Sequence, residues 1–334
     1  MAKIALFGAA GAIGHSIASA FQSNHQEYRV VGRSLRALQQ AFGSDPLAEI
    51  VTWDPDDQSS VREAARGVET IVYLVGVAYD HFELHPQLMR KTLYGAFTAG
   101  VPNMLLIGTV YPYGTPQTNP VRENHPRNPH TFKGQMRKQQ EDLLLEADAG
   151  GRIRGSVLRL PDFYGPGVDK SFLHSIFVAA ASGGRAQVIG PLDTPHEYVF
   201  VPDVGPVVAR LVDPSTPHGH VWHLGGAGTI TTREVVNRAF ALTGHKPKMI
   251  VAGKTTLRLM GLFNPLMREM VEMNYLQTNP VVLDDTALRG LLGEIRKTSY
   301  EDGIRQCVEA ARTQGSAAGP GIPSERRLSA CWRG

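Results

Sequence analysis

The sequence predicts a doubly wound α/β fold, in which helices cover both faces of a parallel sheet, joined to a smaller, mostly helical C-terminal lobe. Two observations lead to this prediction. Short apolar runs alternate with helix-length segments over the first 160 residues of the 334-residue chain, a pattern typical of right-handed βαβ units. After Pro161 the alternation loosens, and helix-length segments predominate.

Each apolar run predicts a strand, and each interval between runs predicts a helix. The predicted strands of the first part are Lys3–Phe7, Tyr28–Val31, Glu49–Trp53, Thr70–Val75, Asn103–Ile107 and Gly155–Leu160. The helices between them are predicted at 12–22, 34–42, 58–66, 82–99 and 133–148. In the second part, helices are predicted at 171–182, 203–212, 231–243, 255–275 and 299–313, and strands at Tyr198–Val201 and 220–224.

Three glycines, Gly8, Gly11 and Gly14, follow the first predicted strand. Glycines at this spacing let the chain turn sharply, let its backbone approach a pyrophosphate, and let the next helix pack against the strand. The helix N-terminus offers free N–H groups and a positive dipole end, so we expect the amides of Ala12 and Ile13 to face the phosphates. The turn therefore predicts a Rossmann-type dinucleotide site.

These observations divide the chain into three predicted parts. We expect an NAD(P)-binding Rossmann domain over residues 1–160, to which the elements at about 198–224 return. A substrate-binding lobe follows over 161–313, with the helix at 255–275 as part of a cover over the cleft between the lobes. Residues 315–334 are rich in Gly, Ser, Ala and Pro and have no periodicity, which predicts a disordered tail.

The end of the second predicted strand indicates which dinucleotide is bound. NAD-specific sites place a carboxylate there for the ribose hydroxyls, but this strand ends in Val30-Val31-Gly32-Arg33 without an acid. We expect Arg33 to contact a 2′-phosphate and Ser34 to donate a hydrogen bond beside it. The sequence therefore predicts NADP as cofactor, with NAD as the alternative.

Composition excludes several kinds of partner. The 34 basic and 31 acidic side chains nearly balance at a formal charge of +3, which argues against nucleic acid and a membrane surface. Cys307 and Cys331 have no metal-ligand spacing, so we expect neither a metal site nor a disulfide framework. The apolar segment Thr255–Met273 contains charged residues and a proline, so we do not expect it to span a membrane. Because the sequence opens on a predicted strand, we expect no signal peptide. We expect a cytoplasmic protein with a small-molecule substrate, and the candidate assembly is a homodimer.

Six features follow one another along the chain. They are Gly8-Ala-Ala-Gly11-Ala-Ile-Gly14, Asp54, Tyr73-Leu-Val-Gly-Val-Ala78, Thr109-Val-Tyr-Pro-Tyr113-Gly114, Arg159-Leu-Pro-Asp-Phe-Tyr-Gly-Pro166 and Glu197-Tyr-Val-Phe-Val-Pro-Asp203. In this order they resemble the motifs of the extended short-chain dehydrogenase/reductase family, also called the NAD-dependent epimerase/dehydratase family. The resemblance covers about residues 1–313.

The resemblance implies cofactor contacts outside the glycine turn. Asp54 falls where the family has an aspartate that contacts the adenine. Gly76, Val77 and Ala78 belong to the segment that lines the ribose and nicotinamide side of the cofactor.

The resemblance also implies substrate contacts. Thr109 takes the position of a hydroxyl residue that hydrogen-bonds the reacting oxygen. Asp162 stands where the family usually has an asparagine that faces the substrate, and Tyr164 follows in the same segment. We expect Thr109, Asp162 and Tyr164 to form walls of the substrate site, although a turn or N-cap role for Asp162 is an equal alternative.

The sequence departs from the family at its catalytic pair. The family uses Tyr-x-x-x-Lys on the helix after the fifth strand, whereas the corresponding residues here are Lys133 and Arg137. Residues four apart share a helix face, so both cations can face one pocket. Arg137 can hold ribose hydroxyls but cannot exchange a proton near neutral pH, whereas Lys133 can. The alternative is that the two side chains form a solvated helix face and that catalysis is lost.

Three functions remain open from the sequence. The first is an NADP(H)-dependent oxidoreductase, epimerase or dehydratase that acts on a carbonyl or alcohol of a small metabolite, with Thr109, Lys133 and Arg137 as catalytic residues. The second is a catalytically silent NADP-binding sensor or regulator. The third is a lyase or isomerase in which Lys133 does acid/base work. The histidines His81, His85, His125 and His130 are predicted at surface or turn positions, since no metal-ligand spacing accompanies them.

Overall fold

The computed structural model describes residues 3–253 and 271–317. Strands and helices alternate through its first half, because apolar runs of four to seven residues are separated by amphipathic segments. These elements are β1 (Ile4–Phe7), α1 (Ala12–Ser23), β2 (Tyr28–Gly32), α2 (Leu35–Phe42), β3 (Ala48–Thr52), α3 (Gln58–Ala65), β4 (Thr70–Tyr73), α4 (Leu84–Thr98), β5 (Asn103–Thr109), α5 (Phe132–Ala149) and β6 (Arg154–Leu160).

The second half contains shorter elements. They are β7 (Asp162–Tyr164), α6 (His174–Ser182), β8 (Ala186–Ile189), β9 (His196–Phe200), α7 (Val201–Leu211), β10 (Val221–His223), β11 (Thr229–Ile230), α8 (Thr232–Ala241), β12 (Met249–Ala252), α9 (Tyr275–Thr278), α10 (Thr286–Leu292) and α11 (Tyr300–Ala317). None of the helices within 3–253 and 271–317 is long and apolar enough to cross a membrane.

A seven-stranded parallel sheet forms the centre of the molecule, in the order β10-β6-β5-β4-β1-β2-β3. The strand order reverses between β1 and β4, so the connections from these two strands leave toward opposite faces of the sheet. The crevice at the carboxyl ends of β1 and β4 is where open α/β sheets bind their ligands. The predicted doubly wound fold is confirmed.

Side chains that alternate along the strands build one apolar layer on each face of the sheet. Leu6 and Val30 belong to the layer that contains α1 and α7, whereas Phe7 and Val31 belong to the layer that contains α3 and α4. Because both faces are covered, the central strands are apolar throughout, which explains why they appear in the sequence as continuous runs.

The smaller lobe contains, besides its helices, two small sheets that the sequence did not predict. One has the order β11-β9-β7 and the other pairs β12 with β8. Most of their strands have only two to four residues, too few to produce a recognisable period-two pattern. Only β9 was predicted, at Tyr198–Val201.

Two sequence predictions concern regions at the limits of the described residues. Helix α11 continues to Ala317, past the predicted start of the tail at 315, and residues 318–334 lie outside the described ranges. Most of the predicted cover helix at 255–275 also lies outside them.

Helix α7 packs directly on α1, and Gly205 is what permits the approach. A Cβ atom on Gly205 would lie 2.0 Å from the Ser16 carbonyl oxygen. The Ser16 hydroxyl links the two helices, since it donates to the Val201 carbonyl at 2.7 Å and accepts from the Gly205 N–H at 3.0 Å. Residues from the second half of the chain are thereby held against the first domain.

We expect Gly205→Ala to lower the free energy of unfolding by about 1–3 kcal/mol, because the new methyl group overpacks the contact between α1 and α7. Replacement of a glycine inside a helix by alanine normally raises the free energy of unfolding of the protein by about 0.5–1 kcal/mol. Gly290→Ala in α10 is therefore the control, since no atom lies within 4 Å of its new Cβ. Urea unfolding of both variants checks the prediction, and a stabilised Gly205→Ala would contradict it.

Candidate functional site

The three glycines of the first turn have three different structural roles. Gly8 has φ +90°, and a Cβ there would lie 2.7 Å from the Val75 Cα atom, so position 8 requires glycine. A Cβ on Gly14 would lie 1.9 Å from the Ala9 carbonyl oxygen, so this glycine permits α1 to pack closely against the turn. At Gly11, by contrast, nothing lies within 4 Å of an added Cβ.

The space at Gly11 fits a phosphate group. Gly11 is the N-cap of α1, no side chain caps the helix, and its first turn contains no acidic residue. The first amides of α1, including those of Ala12 and Ile13, need partners from outside the helix. An open approach, free N–H groups and a positive dipole end together suit the pyrophosphate of a dinucleotide.

The ribose end of this site begins where β2 ends. Arg33 is exposed there. Ser34 caps α2, because its hydroxyl oxygen accepts a hydrogen bond from the Ala37 N–H at 3.3 Å. A hydroxyl that accepts one hydrogen bond still has its own O–H to donate. The roles predicted for Arg33 and Ser34 are therefore compatible with the local geometry.

The segments after β3 and β4 border the same edge of the sheet. Asp54 is exposed, and its carboxylate accepts a hydrogen bond from the Asp56 N–H at 2.9 Å. Gly76 and Ala78 are exposed, and Val77 is half-buried. A Cβ on Gly76 would meet no atom within 4 Å, so the backbone of this segment is open to a ligand.

The turn after β5 separates two tyrosines that are close in sequence. Thr109 ends β5, and its hydroxyl oxygen accepts a hydrogen bond from the Tyr111 N–H at 3.3 Å. The Tyr111 ring stacks on Phe82, with ring centroids 6.3 Å apart. Tyr113 points instead into a buried network, where its hydroxyl lies 2.5 Å from both Arg159 Nη1 and His223 Nε2.

This network is held by opposite charges. Arg159 Nη2 lies 2.7 Å from Glu141 Oε2, and both side chains are buried. Burial, followed by the Arg159 charge, lowers the pKa of His223 to about 4, so its neutral ring can accept from Tyr113. Burial raises the pKa of Tyr113 to about 12. Tyr113 is therefore a structural residue of the network and does not face the cleft.

Lys133 is buried in an ion pair near the N-terminus of α5. Its side chain is 1% exposed, and its amine lies 2.7 Å from Glu272 Oε2. The other oxygen of Glu272 accepts from the Lys133 backbone N–H at 2.9 Å. The amine also lies 5.0 Å from the centre of the Tyr79 ring and 5.5 Å from that of Phe82, within the range of cation–π attraction.

Arg137 lies one turn further along α5 and is 8% exposed. Its guanidinium donates to His85 Nδ1 at 3.2 Å and to the Ile107 carbonyl at 3.3 Å. Burial lowers the pKa of Arg137. Burial, followed by the Arg137 charge, lowers the pKa of His85 to about 2, which keeps its ring neutral and able to accept.

Lys133 and Arg137 therefore face the same segment, since Phe82 contacts the first and His85 the second. The alternative of a solvated helix face is wrong, because both side chains are buried. The prediction of a surface or turn position is wrong for His85, which is buried within α4. His125 is also buried, but it lies in a turn that its N–H closes onto the Arg122 carbonyl. Contacts between segments that are distant in the sequence bury these side chains, and the spacing of residues along the chain does not predict such contacts.

Of the three residues predicted as substrate walls, Asp162 and Tyr164 separate in the structure. Asp162 Oδ2 lies 2.9 Å from His196 Nε2, and the Asp162 side chain is 13% exposed. Tyr164 is buried in the core of the smaller lobe, where its ring stacks on Tyr300 at 5.8 Å. A Cβ on Gly303 would lie 2.3 Å from the Tyr164 hydroxyl, which shows how closely α11 covers it. Tyr164 therefore faces the core, because its aromatic neighbours bury it, and not a cleft.

Sequence reasoning missed several residues that lie around Lys133, Arg137 and Asp162. The structure adds Tyr79, His85, His196, Glu272 and Tyr275. Tyr79 directly follows the segment that ends at Ala78, and His196 directly precedes the motif that begins at Glu197. Extending each motif by one residue would therefore have included both of them. Glu272 and Tyr275 lie in a part of the chain that resembles none of the motifs, and only folding brings them to α5 and the turn after β5.

Comparison with known proteins identifies the family. The model of the NAD dependent epimerase/dehydratase family matches residues 4–225. The chain belongs to this family. The predictions of the family and of an NAD(P)-dependent oxidoreductase or epimerase/dehydratase are thereby confirmed.

Two curated members of the wider group have similar sequences. The dTDP-6-deoxy-L-talose 4-dehydrogenase (NAD(P)(+)) of Kitasatospora kifunensis is 24% identical over 249 residues, which are 70% of this chain and 77% of that protein. The N-acetyl-alpha-D-glucosaminyl-diphospho-ditrans,octacis-undecaprenol 4-epimerase of Escherichia coli O157:H7 is 30% identical over 100 residues, which are 28% of this chain and 30% of that protein.

Solved structures of enzymes share the fold. The dTDP-glucose 4,6-dehydratase of Bacillus anthracis, in complex with NAD, matches with a TM-score of 0.78 at 15% identity. The match covers 94% of the chain described here and 97% of the dehydratase chain. The dTDP-glucose 4,6-dehydratase DesIV of Streptomyces venezuelae, with NAD and TYD bound, has a TM-score of 0.78 at 18% identity, with 95% and 99% covered.

We expect Gly11→Val to abolish dinucleotide binding and to leave the protein folded, because the side chain enters open space that the phosphates need and contacts no protein atom. Gly11→Ala, with a single methyl group, is expected to weaken binding less. Calorimetric titration with NADP and NAD, together with thermal unfolding, checks both variants. Parental affinity in Gly11→Val would refute the assignment of the turn.

We expect His85→Gln to reduce the loss of stability at acidic pH. The folded pKa of His85, about 2, lies below its ordinary value of 6.5. The unfolded chain therefore takes up a proton below pH 6.5 that the folded chain does not, and stability falls with pH. Between pH 7.5 and 5 the parent should lose about 2 kcal/mol relative to His85→Gln. Urea unfolding at both pH values measures this, with exposed His81→Gln as control; equal losses in parent and variant would contradict it.

Proposed function

We propose that this protein is an NADP(H)-dependent oxidoreductase, epimerase or dehydratase that acts on a carbonyl or alcohol of a small metabolite. The names of its relatives make a nucleotide-linked sugar the substrate class we favour. In this proposal, residues 1–160 bind the dinucleotide and residues 161–313 bind the substrate. A homodimer and a cytoplasmic location stay predictions.

The observation that carries the proposal is the open, uncapped N-terminus of α1 at Gly11. It lies at the carboxyl edge of β1, next to the strand reversal between β1 and β4. Thr109 ends β5, which is the strand beside β4, so its hydroxyl belongs to the same edge of the sheet. A dinucleotide bound at Gly11 can then extend along this edge toward Thr109 and the start of α5.

The dinucleotide, when bound, supplies the hydride donor or acceptor. We assign Arg137 to the nicotinamide ribose, because its guanidinium has five N–H groups and the contacts with His85 and Ile107 use two of them. Its fixed positive charge also stabilises negative charge that develops on a nearby oxygen. Arg137 takes no part in proton transfer.

We assign the proton transfer to Lys133. As a carbonyl carbon receives hydride, its oxygen takes a proton from the Lys133 ammonium, and Thr109 hydrogen-bonds the same oxygen. In alcohol oxidation the proton returns to the amine. Glu272 orients this amine from a distance of 2.7 Å.

The burial of Lys133 favours a second candidate, a catalytically silent NADP-binding sensor or regulator. An amine that is 1% exposed and paired with Glu272 must leave its partner, at least in part, to reach a substrate. The third reading, a lyase or isomerase that uses Lys133, has the same requirement. Nucleotide-induced thermal stabilisation without turnover on a carbonyl panel would favour the silent protein.

We expect Lys133→Met to lower kcat by about 10²–10⁴-fold with dinucleotide affinity nearly unchanged, as for the loss of a general acid or base. Lys138→Met on the same helix is the control, because its partly exposed amine pairs with Asp142 within the part of the chain that the structure describes. Absorbance of NADPH with a panel of carbonyl compounds and nucleotide sugars measures turnover. Full activity in Lys133→Met would show that Lys133 does not transfer the proton. Tyr111 would then be the next candidate for proton transfer, since the Tyr113 hydroxyl is bound to Arg159.

We expect NADP to bind about 10- to 150-fold more tightly than NAD, because a charge-assisted contact from Arg33 contributes roughly 1.5–3 kcal/mol. Arg33→Ala should remove most of this preference and leave NAD affinity nearly unchanged. Arg185→Ala, an exposed arginine of the smaller lobe, is the control. Calorimetric titration with both cofactors decides, and equal affinities or tighter NAD in the parent would refute the assignment.

A further inference from the structure

An aspartate and a histidine pair where the smaller lobe meets the carboxyl edge of the central sheet. Asp162 begins β7 directly after β6, and His196 begins β9, the neighbour of β7. Asp162 Oδ2 accepts the Nε2–H of His196 at 2.9 Å. His196 is 6% exposed, and its Nδ1 atom is buried without a partner in the described part of the chain. A buried polar atom without a partner is uncommon and suggests a functional site.

Three phenols lie near this pair. Tyr79, Tyr111 and Tyr275 pack against one apolar cluster that includes Val110 and Met273. Burial raises the pKa of each phenol, and the Asp162 carboxylate raises it further. The Tyr79 and Tyr275 hydroxyls are buried without hydrogen-bond partners in the described ranges. Asp162 is therefore close enough to act electrostatically on all three phenols, and the ring of one of them, Tyr79, lies 5.0 Å from the Lys133 amine.

The charge of Asp162 is not balanced by a lysine or an arginine in the described residues. Its ion-pair partner there is His196. The two nearby cations have other partners, since Lys133 pairs with Glu272 and Arg137 contacts His85 and Ile107. Asp162 Oδ1 has no hydrogen-bond partner within the described ranges, so it can accept one from a ligand.

We infer that the Asp162–His196 pair selects a substrate whose sugar unit is neutral or amino-substituted and discriminates against a uronic acid. This inference rests on the proposed function, because it concerns the substrate of that same site. A sugar hydroxyl or ammonium group can donate to Asp162 Oδ1 in a charge-assisted hydrogen bond. A sugar carboxylate has no proton to donate to Asp162 Oδ1 and would meet the negative charge of Asp162.

Two probes with the same nucleotide test the inference. UDP-glucose and UDP-glucuronate differ at one sugar carbon, which bears a hydroxymethyl group in the first and a carboxylate in the second. The full-length protein is first saturated with NADP or NAD, whichever it binds more tightly. Each sugar nucleotide is then titrated into this complex and its binding is measured by calorimetry. We expect UDP-glucose to bind at least about tenfold more tightly.

Asp162→Asn keeps the shape of the side chain and can still accept from His196, but it removes the charge. We expect this variant to bind UDP-glucuronate about three- to tenfold more tightly than the parent and UDP-glucose more weakly. A gain in affinity cannot come from misfolding. Asp169→Asn, at a more exposed aspartate of the same lobe, is the matched control and should change neither affinity.

The outcomes separate the two proposals. Equal affinities for the two probes, tighter UDP-glucuronate, or an unchanged ratio in Asp162→Asn would overturn the inference and leave the proposed function standing. Dinucleotide binding without affinity for either probe would overturn both this inference and the sugar-nucleotide substrate class. Absence of dinucleotide binding would overturn the proposed function itself.

Discussion

The buried ion pair between Arg159 and Glu141 is the interaction on which the geometry of the site depends. Arg159 lies on β6 and Glu141 on α5, and Tyr113 and His223 complete the network from the turn after β5 and from β10. Removing one partner of such a pair leaves an uncompensated buried charge, at a cost of about 3–5 kcal/mol. The network therefore fixes α5 against the sheet, and with it the positions of both catalytic candidates.

Lys133 and Arg137 stand where the resemblance implies the family's Tyr-x-x-x-Lys pair, and two buried cations need different surroundings from a tyrosine and a lysine. A buried tyrosine needs one hydrogen-bond partner, whereas a buried lysine also needs an opposite charge. Glu272 provides that charge for Lys133, and the rings of Tyr79 and Phe82 surround the amine. Arg137 obtains a neutral acceptor because burial keeps His85 unprotonated. The two cations are thus held by residues from two other parts of the chain, the segment 79–85 and Glu272.

The sequence predicted the central sheet well, because each of its inner strands is an apolar run buried on both faces and each βαβ unit repeats the same pattern. The three glycines also predicted the phosphate turn, since their roles follow from backbone geometry over seven residues. The small sheets of the second lobe were missed because strands such as β7 and β11 have three and two residues. Tyr164 was misplaced because its surroundings come from α11, far along the chain.

By itself, the sequence determined the fold and the family and predicted the phosphate turn and the unusual pair on α5, because each depends on residues close together in the chain. Only the tertiary structure decided which side chains meet: Lys133 with Glu272 across 139 positions, Arg137 with His85, and Asp162 with His196. It also decided that Tyr113 belongs to the buried Arg159 network while Tyr111 stacks on Phe82. The physical reason is that burial and charge pairing depend on contacts between distant segments, which local periodicity does not encode.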